Sequence, residues 1–226
     1  MKKIFKYITG LMIFIGLHGI ASESCAQKPA FYDEIQSFKK QDSAAMPAKN
    51  SILFVGSSSI RMWTNIKDDF RMHSVINRGL GGSALPDVIR YADEIIFHYQ
   101  PAQVVIYCGE NDLAASDTVT AQIVFERFQT LFNMIRKKLP ETAVAFVSIK
   151  PSPSRAHLLP KVIAANNLIK DFLKGQTKAV YIDVFSAMID QQGNPKPELF
   201  VDDKLHMNQK GYAIWVEIIE PYLIKT

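Results

Sequence analysis

Short apolar runs rich in β-branched and aromatic residues recur along the chain, and longer mixed stretches separate them. Runs of this length are typical of strands that are buried on both faces of a sheet. Five of them predict strands, at residues 51–55, 74–76, 103–107, 143–147 and 179–182.

Helical spacing characterises the stretches between these runs, and it is clearest between positions 119 and 139. Apolar residues there recur in steps of three and four, which places them on one face of a helix. They are Val119, Ile123, Val124, Phe128, Leu131, Phe132, Ile135 and Leu139. Ser116 or Asp117 is the predicted N-cap, and Pro140 follows the predicted end.

Strands that alternate with amphipathic helices indicate parallel pairing with right-handed crossovers. The pattern therefore predicts a three-layer α/β/α sandwich around a mostly parallel five-stranded sheet, of the flavodoxin-like kind. Ligands bind such a sheet at the carboxyl edge of its strands. Polar residues that directly follow the predicted strands are therefore candidates for a functional site.

The first 26 residues have the pattern of a signal peptide. Lys2, Lys3 and Lys6 form a basic start, an apolar stretch covers positions 8–20, and small residues precede position 27. We therefore predict that residues 1–26 are a signal peptide and that the protein is exported, either to the periplasm or out of the cell.

The two cysteines bear on both parts of the chain. Cys25 lies at the predicted cleavage site, so a lipoprotein anchored through Cys25 is the alternative, although Glu23 and Ser24 make a poor lipid-attachment motif. Cys108 then stands alone in the remaining residues 27–226, which have the length of one domain. No disulfide is expected, and a thiol after a buried strand is predicted to be packed and inert.

Charge gives no sign of a nucleic-acid partner. The 226 residues carry a formal net charge of +4, and removal of three lysines and one glutamate with the signal peptide lowers it to +2. The apolar stretch at positions 8–20 is short for a bilayer span and contains His18, so no retained membrane span is predicted.

A serine cluster, Gly56-Ser57-Ser58-Ser59, follows the first predicted strand. A glycine there permits a sharp strand-to-helix turn, from which a serine can project its Oγ at the sheet edge near a helix N-terminus. The Gly-x-Ser-x-Gly elbow of α/β-hydrolases does not fit, because Ile60 occupies the position of its second glycine. The cluster predicts a different serine hydrolase design, with a simple turn as the alternative.

Two further polar blocks follow the second and third predicted strands. The glycine-rich residues 77–83 would let backbone N–H groups approach a ligand closely. In the block 109–112, Asn111 can point a side-chain N–H donor into the same cleft. Each block alone is an ordinary loop, and the order of the blocks along the chain is more specific than any one of them.

Asp203 and His206 complete the pattern near the end of the chain. A carboxylate three residues before a histidine can fold back and hold the imidazole through its Nδ1 proton. The other ring nitrogen, Nε2, is then free to accept a proton from a serine hydroxyl. Only a fold that gathers loops from both ends of the chain at one edge can bring the serine cluster to this histidine.

This order of blocks resembles the SGNH, or GDSL-like, hydrolases, and the resemblance runs from position 52 to about 215. It implies a catalytic triad and an oxyanion hole. The implied catalytic residues are Ser58, Asp203 and His206, and the implied oxyanion donors are Ser58, Gly82 and Asn111.

Alternatives remain open within two of the blocks. The family commonly has aspartate where this chain has Ser57, so Ser57 and Ser59 are alternative nucleophiles to Ser58. Asp202 competes with Asp203, although the three-residue spacing to the histidine favours Asp203.

The resemblance implies a serine esterase that acts on small-molecule or glycan esters, with acetyl or other short acyl groups on carbohydrates as the first choice. A lysophospholipase or lipid esterase is the alternative, and a carbohydrate-binding module without catalysis is the third possibility. No cofactor or metal is expected, since the other histidines lack ligand spacing. Nothing in the sequence predicts the oligomeric state.

Overall fold

Five parallel strands form the centre of the fold. Their order in the sheet is β2-β1-β3-β4-β5, and every neighbouring pair is parallel. The strands are β1 (Ile52–Gly56), β2 (Val75–Gly79), β3 (Gln103–Tyr107), β4 (Ala143–Val147) and β5 (Ala179–Ile182). The five-stranded parallel sheet predicted from the apolar runs is therefore confirmed.

The structure is a computed structural model, and it describes residues 28–225. The predicted signal peptide and Cys25 lie outside the described residues. From Phe31 onward, the described residues belong to one compact unit. No helix within residues 28–225 has both the length and the apolar character to cross a membrane.

Helices cover both faces of the sheet. The α-helices are α1 (Tyr32–Ala44), α2 (Ser58–Arg61), α3 (Ile66–Asp69), α4 (Leu85–Arg90), α5 (Ala92–Ile95), α6 (Glu110–Ala115), α7 (Ala121–Lys138), α8 (Leu159–Lys174) and α9 (Gln209–Ile219). Short 3₁₀ helices lie at Phe97–Tyr99, Pro153–Leu158, Ser186–Met188, Pro197–Leu199 and Glu220–Tyr222.

Side chains on the strands alternate between two apolar layers, as the pleat of a sheet requires. In β1, Leu53 and Val55 belong to the apolar layer that includes residues of α1 and α4 to α8, whereas Ile52 and Phe54 belong to the layer that includes residues of α2, α3 and α9. The first layer contains Phe128, and the second contains Trp215. This arrangement is the predicted three-layer α/β/α sandwich.

The largest differences from the predicted boundaries are at the end of β2 and the start of α7. The second strand continues to Gly79, because Asn77 and Arg78 pair with β1 although their side chains are polar. The Asn77 side chain is satisfied by the Ile60 carbonyl and the Gly79 N–H. Helix α7 begins later than predicted, because the Thr120 hydroxyl accepts the hydrogen bond that caps it.

Cys108 is fully buried after β3, as predicted, and its thiol is free within the described part of the chain. Burial raises the pKa of its thiol well above the ordinary value, with a further contribution from the nearby Asp112 carboxylate. A thiol in this state is a poor nucleophile, because the thiolate is the reactive form.

Gly56, the last residue of β1, has no room for a side chain. Its φ of +131° lies in the range that favours glycine, and an added Cβ would lie 1.8 Å from the Tyr107 carbonyl oxygen. We therefore expect Gly56→Ala to lower the free energy of unfolding by about 3 kcal/mol or more, measured by urea denaturation. Gly175→Ala is the control, because its Cβ would approach no closer than 3.8 Å. A loss of similar size in both variants would contradict this explanation.

Candidate active site

The predicted site residues meet at the carboxyl edge of the sheet. Ser58 begins α2 directly after β1, Gly82 lies in the loop after β2, and Asn111 lies in the first turn of α6 after β3. Asp203 and His206 lie in the segment before α9. Ser58, Gly82, Asn111 and His206 line one cleft.

Ser58, His206 and Asp203 form a continuous chain of hydrogen bonds. The His206 Nε2 atom lies 3.0 Å from Ser58 Oγ, and its Nδ1 atom lies 2.6 Å from Asp203 Oδ2. Asp203 Oδ1 accepts hydrogen bonds from the backbone N–H groups of Leu205 and His206, at 2.8 and 2.9 Å. The carboxylate therefore fixes both the turn of the backbone and the orientation of the imidazole.

The Asp203 carboxylate is ionised at neutral pH. Partial burial alone would raise its pKa, but hydrogen bonds from the His206 ring and from two backbone N–H groups lower the pKa to about 2. An ionised carboxylate on Nδ1 favours the tautomer in which Nε2 is a hydrogen-bond acceptor. The imidazole is thus arranged to accept the proton of the Ser58 hydroxyl.

The neighbouring alternatives occupy different positions. Ser57 and Ser59 are buried, whereas Ser58 opens on the cleft. The Ser57 carbonyl accepts from the backbone N–H groups of Ile60 and Arg61, and the Ser59 carbonyl accepts the Tyr212 hydroxyl at 2.9 Å. The His206 ring is hydrogen-bonded to Ser58 and to Asp203, so the geometry favours these two over the alternatives Ser57, Ser59 and Asp202.

The loop after β2 presents Gly82 to the cleft. Its φ is +82°, and an added Cβ would meet nothing within 4 Å, so the residue borders open space. Gly81 N–H donates to Glu34 Oε1 at 2.9 Å, and Ser83 Oγ donates to the Gly56 carbonyl at 3.2 Å. These two bonds fix the loop on either side of Gly82.

Glu34 reaches the cleft from α1, and sequence reasoning did not identify it. A buried cluster anchors this helix: Asp42 pairs with Arg78 and accepts the Tyr99 hydroxyl at 2.5 Å. Glu34 precedes Gly81 by 47 positions. No local pattern marks such a contact, because it depends on how α1 packs against the sheet.

Asn111 is held by three elements of the fold. Its Nδ2 donates to the Ser83 carbonyl, and its Oδ1 accepts from Arg155 Nη1, each at 3.0 Å. The next residue, Asp112, accepts from Leu85 N–H at 2.9 Å and from Arg127 at 2.7 Å. The amide therefore has a fixed position relative to the loop after β2.

A buried ionic cluster lies directly behind Asn111. Glu110 Oε2 accepts hydrogen bonds from Lys150 Nζ at 2.7 Å and from the Tyr107 hydroxyl at 2.9 Å. Lys150 is 1% exposed and also donates to Ser152 Oγ at 2.5 Å. Burial would raise the pKa of Glu110, but Lys150 and the other donors lower it, so the carboxylate is charged.

The cleft is small, with a volume of about 330 Å³, and most of the side chains that line it are polar. Leu205 is the one apolar side chain among its lining residues within the described part of the chain. The lining residues are Glu34, Ser58, Arg61, Gly81, Gly82, Asn111, Arg155, Leu205 and His206. Arg61 and Arg155, like Glu34, were not predicted from the sequence.

Solved structures of several bacterial proteins share this fold. A GDSL-like lipase from Bacteroides thetaiotaomicron is 20% identical, with 83% of this chain and 96% of that chain covered and a TM-score of 0.72. A proposed acylhydrolase from Bacteroides fragilis is 21% identical, with 84% of this chain and 96% of that chain covered and a TM-score of 0.72. A mutant of an acetyl-xylooligosaccharide esterase from Geobacillus stearothermophilus is 12% identical, with 77% of this chain and 94% of that chain covered and a TM-score of 0.61. Identities this low establish a shared fold alone.

The sequence itself matches a family over most of its length. No curated protein matches the chain. Residues 51–214 match the GDSL-like Lipase/Acylhydrolase family, and this span includes all five predicted site residues. The match confirms the resemblance that the order of the polar blocks suggested. The chain therefore belongs to the GDSL-like lipase/acylhydrolase family.

Proposed function

We propose that the protein is an exported serine esterase that hydrolyses acetyl or other short acyl esters, with acylated carbohydrates as its substrates. The proposal rests on one observation above all. The hydrogen-bonded chain Ser58–His206–Asp203 opens on the same cleft that Gly82 and Asn111 line. The proposal of export rests on the sequence of residues 1–26 alone.

The first half of the reaction forms an acyl-enzyme. His206 Nε2 accepts the Ser58 proton while Oγ attacks the ester carbonyl carbon, and Asp203 stabilises the imidazolium that results. The tetrahedral intermediate then collapses as the imidazolium donates its proton to the leaving alcohol. Ser58 is left as an ester of the acyl group.

Three N–H groups would hold the developing oxyanion. They are the backbone N–H groups of Ser58 and Gly82 and the side-chain amide of Asn111. Ser58 is the first residue of α2, so its N–H is one of the donors that a helix N-terminus leaves unsatisfied.

Water completes the second half of the reaction. His206 takes a proton from a water molecule, which attacks the acyl-enzyme, and the same donors hold the second oxyanion. Ser58 recovers its proton from His206, and the carboxylic acid leaves. Each proton thus passes through His206.

The cleft supports a short acyl group on a polar alcohol. Its volume is about 330 Å³, and most of its lining side chains are polar, so it offers few apolar side chains to an extended acyl chain. A sugar, by contrast, offers hydroxyl groups to the charged side chains of Glu34 and Arg61. The structurally similar acetyl-xylooligosaccharide esterase agrees with this choice of substrate.

A neighbouring groove favours the alternative, a lipid esterase. This groove, of about 540 Å³, lies beside the site and includes Met62, Trp63, Val201, Met207 and Tyr212 in its lining. Met62 and Val201 are partly exposed there, at 39% and 40%. A long acyl chain that left the cleft on this side would find apolar surface. The binding module without catalysis has no comparable support, because it does not require the bond between Ser58 and His206.

The nucleophile is tested by replacing each serine of the cluster. Ser58→Ala is expected to lower kcat/KM for an aryl acetate by about 10⁴-fold or more, because no acyl-enzyme can form. Ser57→Ala and Ser59→Ala are the matched controls, and they are expected to retain much of the activity. A variant of Ser57 or Ser59 that is inactive while Ser58→Ala hydrolyses the ester would contradict the assignment.

The acyl group is tested with aryl esters of two to twelve carbons. We expect kcat/KM to fall by at least about tenfold from the acetyl to the octanoyl ester. The added methylenes would displace water from polar side chains without replacing its hydrogen bonds, and they would lack the about 0.8 kcal/mol that each gains against apolar surface. Release of acetate from acetylated oligosaccharides is expected as well. A kcat/KM that rises steadily with chain length would favour the lipid esterase instead. Met62→Gln is then expected to abolish the rise, because it removes apolar surface from the neighbouring groove.

A further inference from the structure

The Asn111 amide can donate to an oxyanion in only one of its two orientations. In the observed one, Nδ2 donates to the Ser83 carbonyl, and Oδ1 accepts from Arg155 Nη1. A rotation of 180° would set Nδ2 against the N–H groups of Arg155 and Oδ1 against the Ser83 carbonyl, so both bonds would be lost. Arg155 and Ser83 together therefore select the orientation in which Nδ2 has a second N–H for the cleft.

Arg155 is itself held by the ionic cluster behind the cleft. Its Nη1 atom lies 3.5 Å from Glu110 Oε1, a buried oxygen that has no hydrogen-bond partner within the described part of the chain. The other oxygen of Glu110 is already engaged by Lys150 and Tyr107. The guanidinium thus lies between a buried carboxylate oxygen and the Asn111 amide oxygen.

Charge separates this arrangement from an ordinary structural ion pair. Lys150 already neutralises Glu110 at 2.7 Å, and both side chains are almost fully buried. Neutralising that carboxylate does not require a second cation. Arg155 is nevertheless present, 22% exposed and lining the cleft, so the cluster has a formal positive charge directly behind Asn111. A positive charge at this place stabilises the negative charge that accumulates on a substrate oxygen.

We propose that Arg155 is a positioning residue for the esterase reaction: it fixes the orientation of the Asn111 amide and polarises it toward the oxyanion. This inference rests on the proposed function. Because the guanidinium contacts Oδ1, it draws electron density from the amide and strengthens the remaining N–H as a donor. The Glu110–Lys150 pair keeps the guanidinium in place.

The first test separates kcat from KM in variants of Arg155. Arg155→Met is expected to lower kcat for an aryl acetate by about 10- to 100-fold with KM changed less than about threefold, because the lost interaction operates on the transition state. Arg71→Met, at an exposed position away from the cleft, is the matched control and is expected to leave both constants unchanged. An effect confined to KM would make Arg155 a substrate-binding residue and overturn the proposal.

A double-mutant cycle with Asn111 then tests whether Arg155 operates through the amide. Asn111→Ala alone is expected to lower kcat by about 10²- to 10³-fold. In that background, Arg155→Met is expected to cost less than about threefold, since the group it positions is gone. An undiminished loss in the Asn111→Ala background would overturn the proposal. If Arg155→Met does not fold, as judged by its thermal melt, Arg155→Lys replaces it in the same cycle with the same criterion.

The cycle also distinguishes failure of this inference from failure of the proposed function. An unchanged kcat in Asn111→Ala would remove Asn111 from the oxyanion hole, and the inference would fall with that role. A slow Asn111→Ala enzyme beside an unimpaired Arg155→Met enzyme would overturn the inference alone.

Discussion

Parallel pairing of β1 with both β2 and β3 is the constraint on which the site depends. The three strands end together, with Gly56 opposite Gly79 on one side and Tyr107 on the other. Their following loops therefore leave the sheet at one edge, where the chain reverses the direction of strand order. The absence of a side chain on Gly56 allows the turn into α2, because the Tyr107 carbonyl occupies the space that a Cβ would need.

Much of this arrangement could be predicted from the sequence, because each predicted part has a local cause. Buried parallel strands are continuous apolar runs, and a carboxylate three residues before His206 can bond its ring without help from the rest of the fold. Glu34 and Arg155 could not be predicted in the same way. Each lies 44 or more positions from its partner along the chain, and each looks like an ordinary surface charge in its own segment. The end of β2 was misplaced for a related reason, since Arg78 is polar yet finds Asp42 on α1.

The buried pair of Lys150 and Glu110 is not explained by a gain in stability. Moving Lys150 and Glu110 out of water costs several kcal/mol for each ion, and their mutual attraction only offsets that cost. Apolar side chains of similar volume would fill the same space without it. The cluster thus contributes little to stability, and its position behind the Asn111 amide connects it to the chemistry that we propose for the cleft. Glu34, on the cleft itself, accepts the Gly81 N–H and so supports the loop that contains Gly82.

The central claim is that Ser58 is a nucleophile activated by His206, and covalent trapping tests it most directly. The protein would be incubated with a fluorophosphonate, which reacts with activated serines, and the labelled peptide would be identified by mass spectrometry. The account predicts one adduct, on the Ser58 Oγ, and no adduct in a His206→Ala variant, where the base is missing. An adduct on Ser57 or Ser59, or equal labelling without His206, would contradict it.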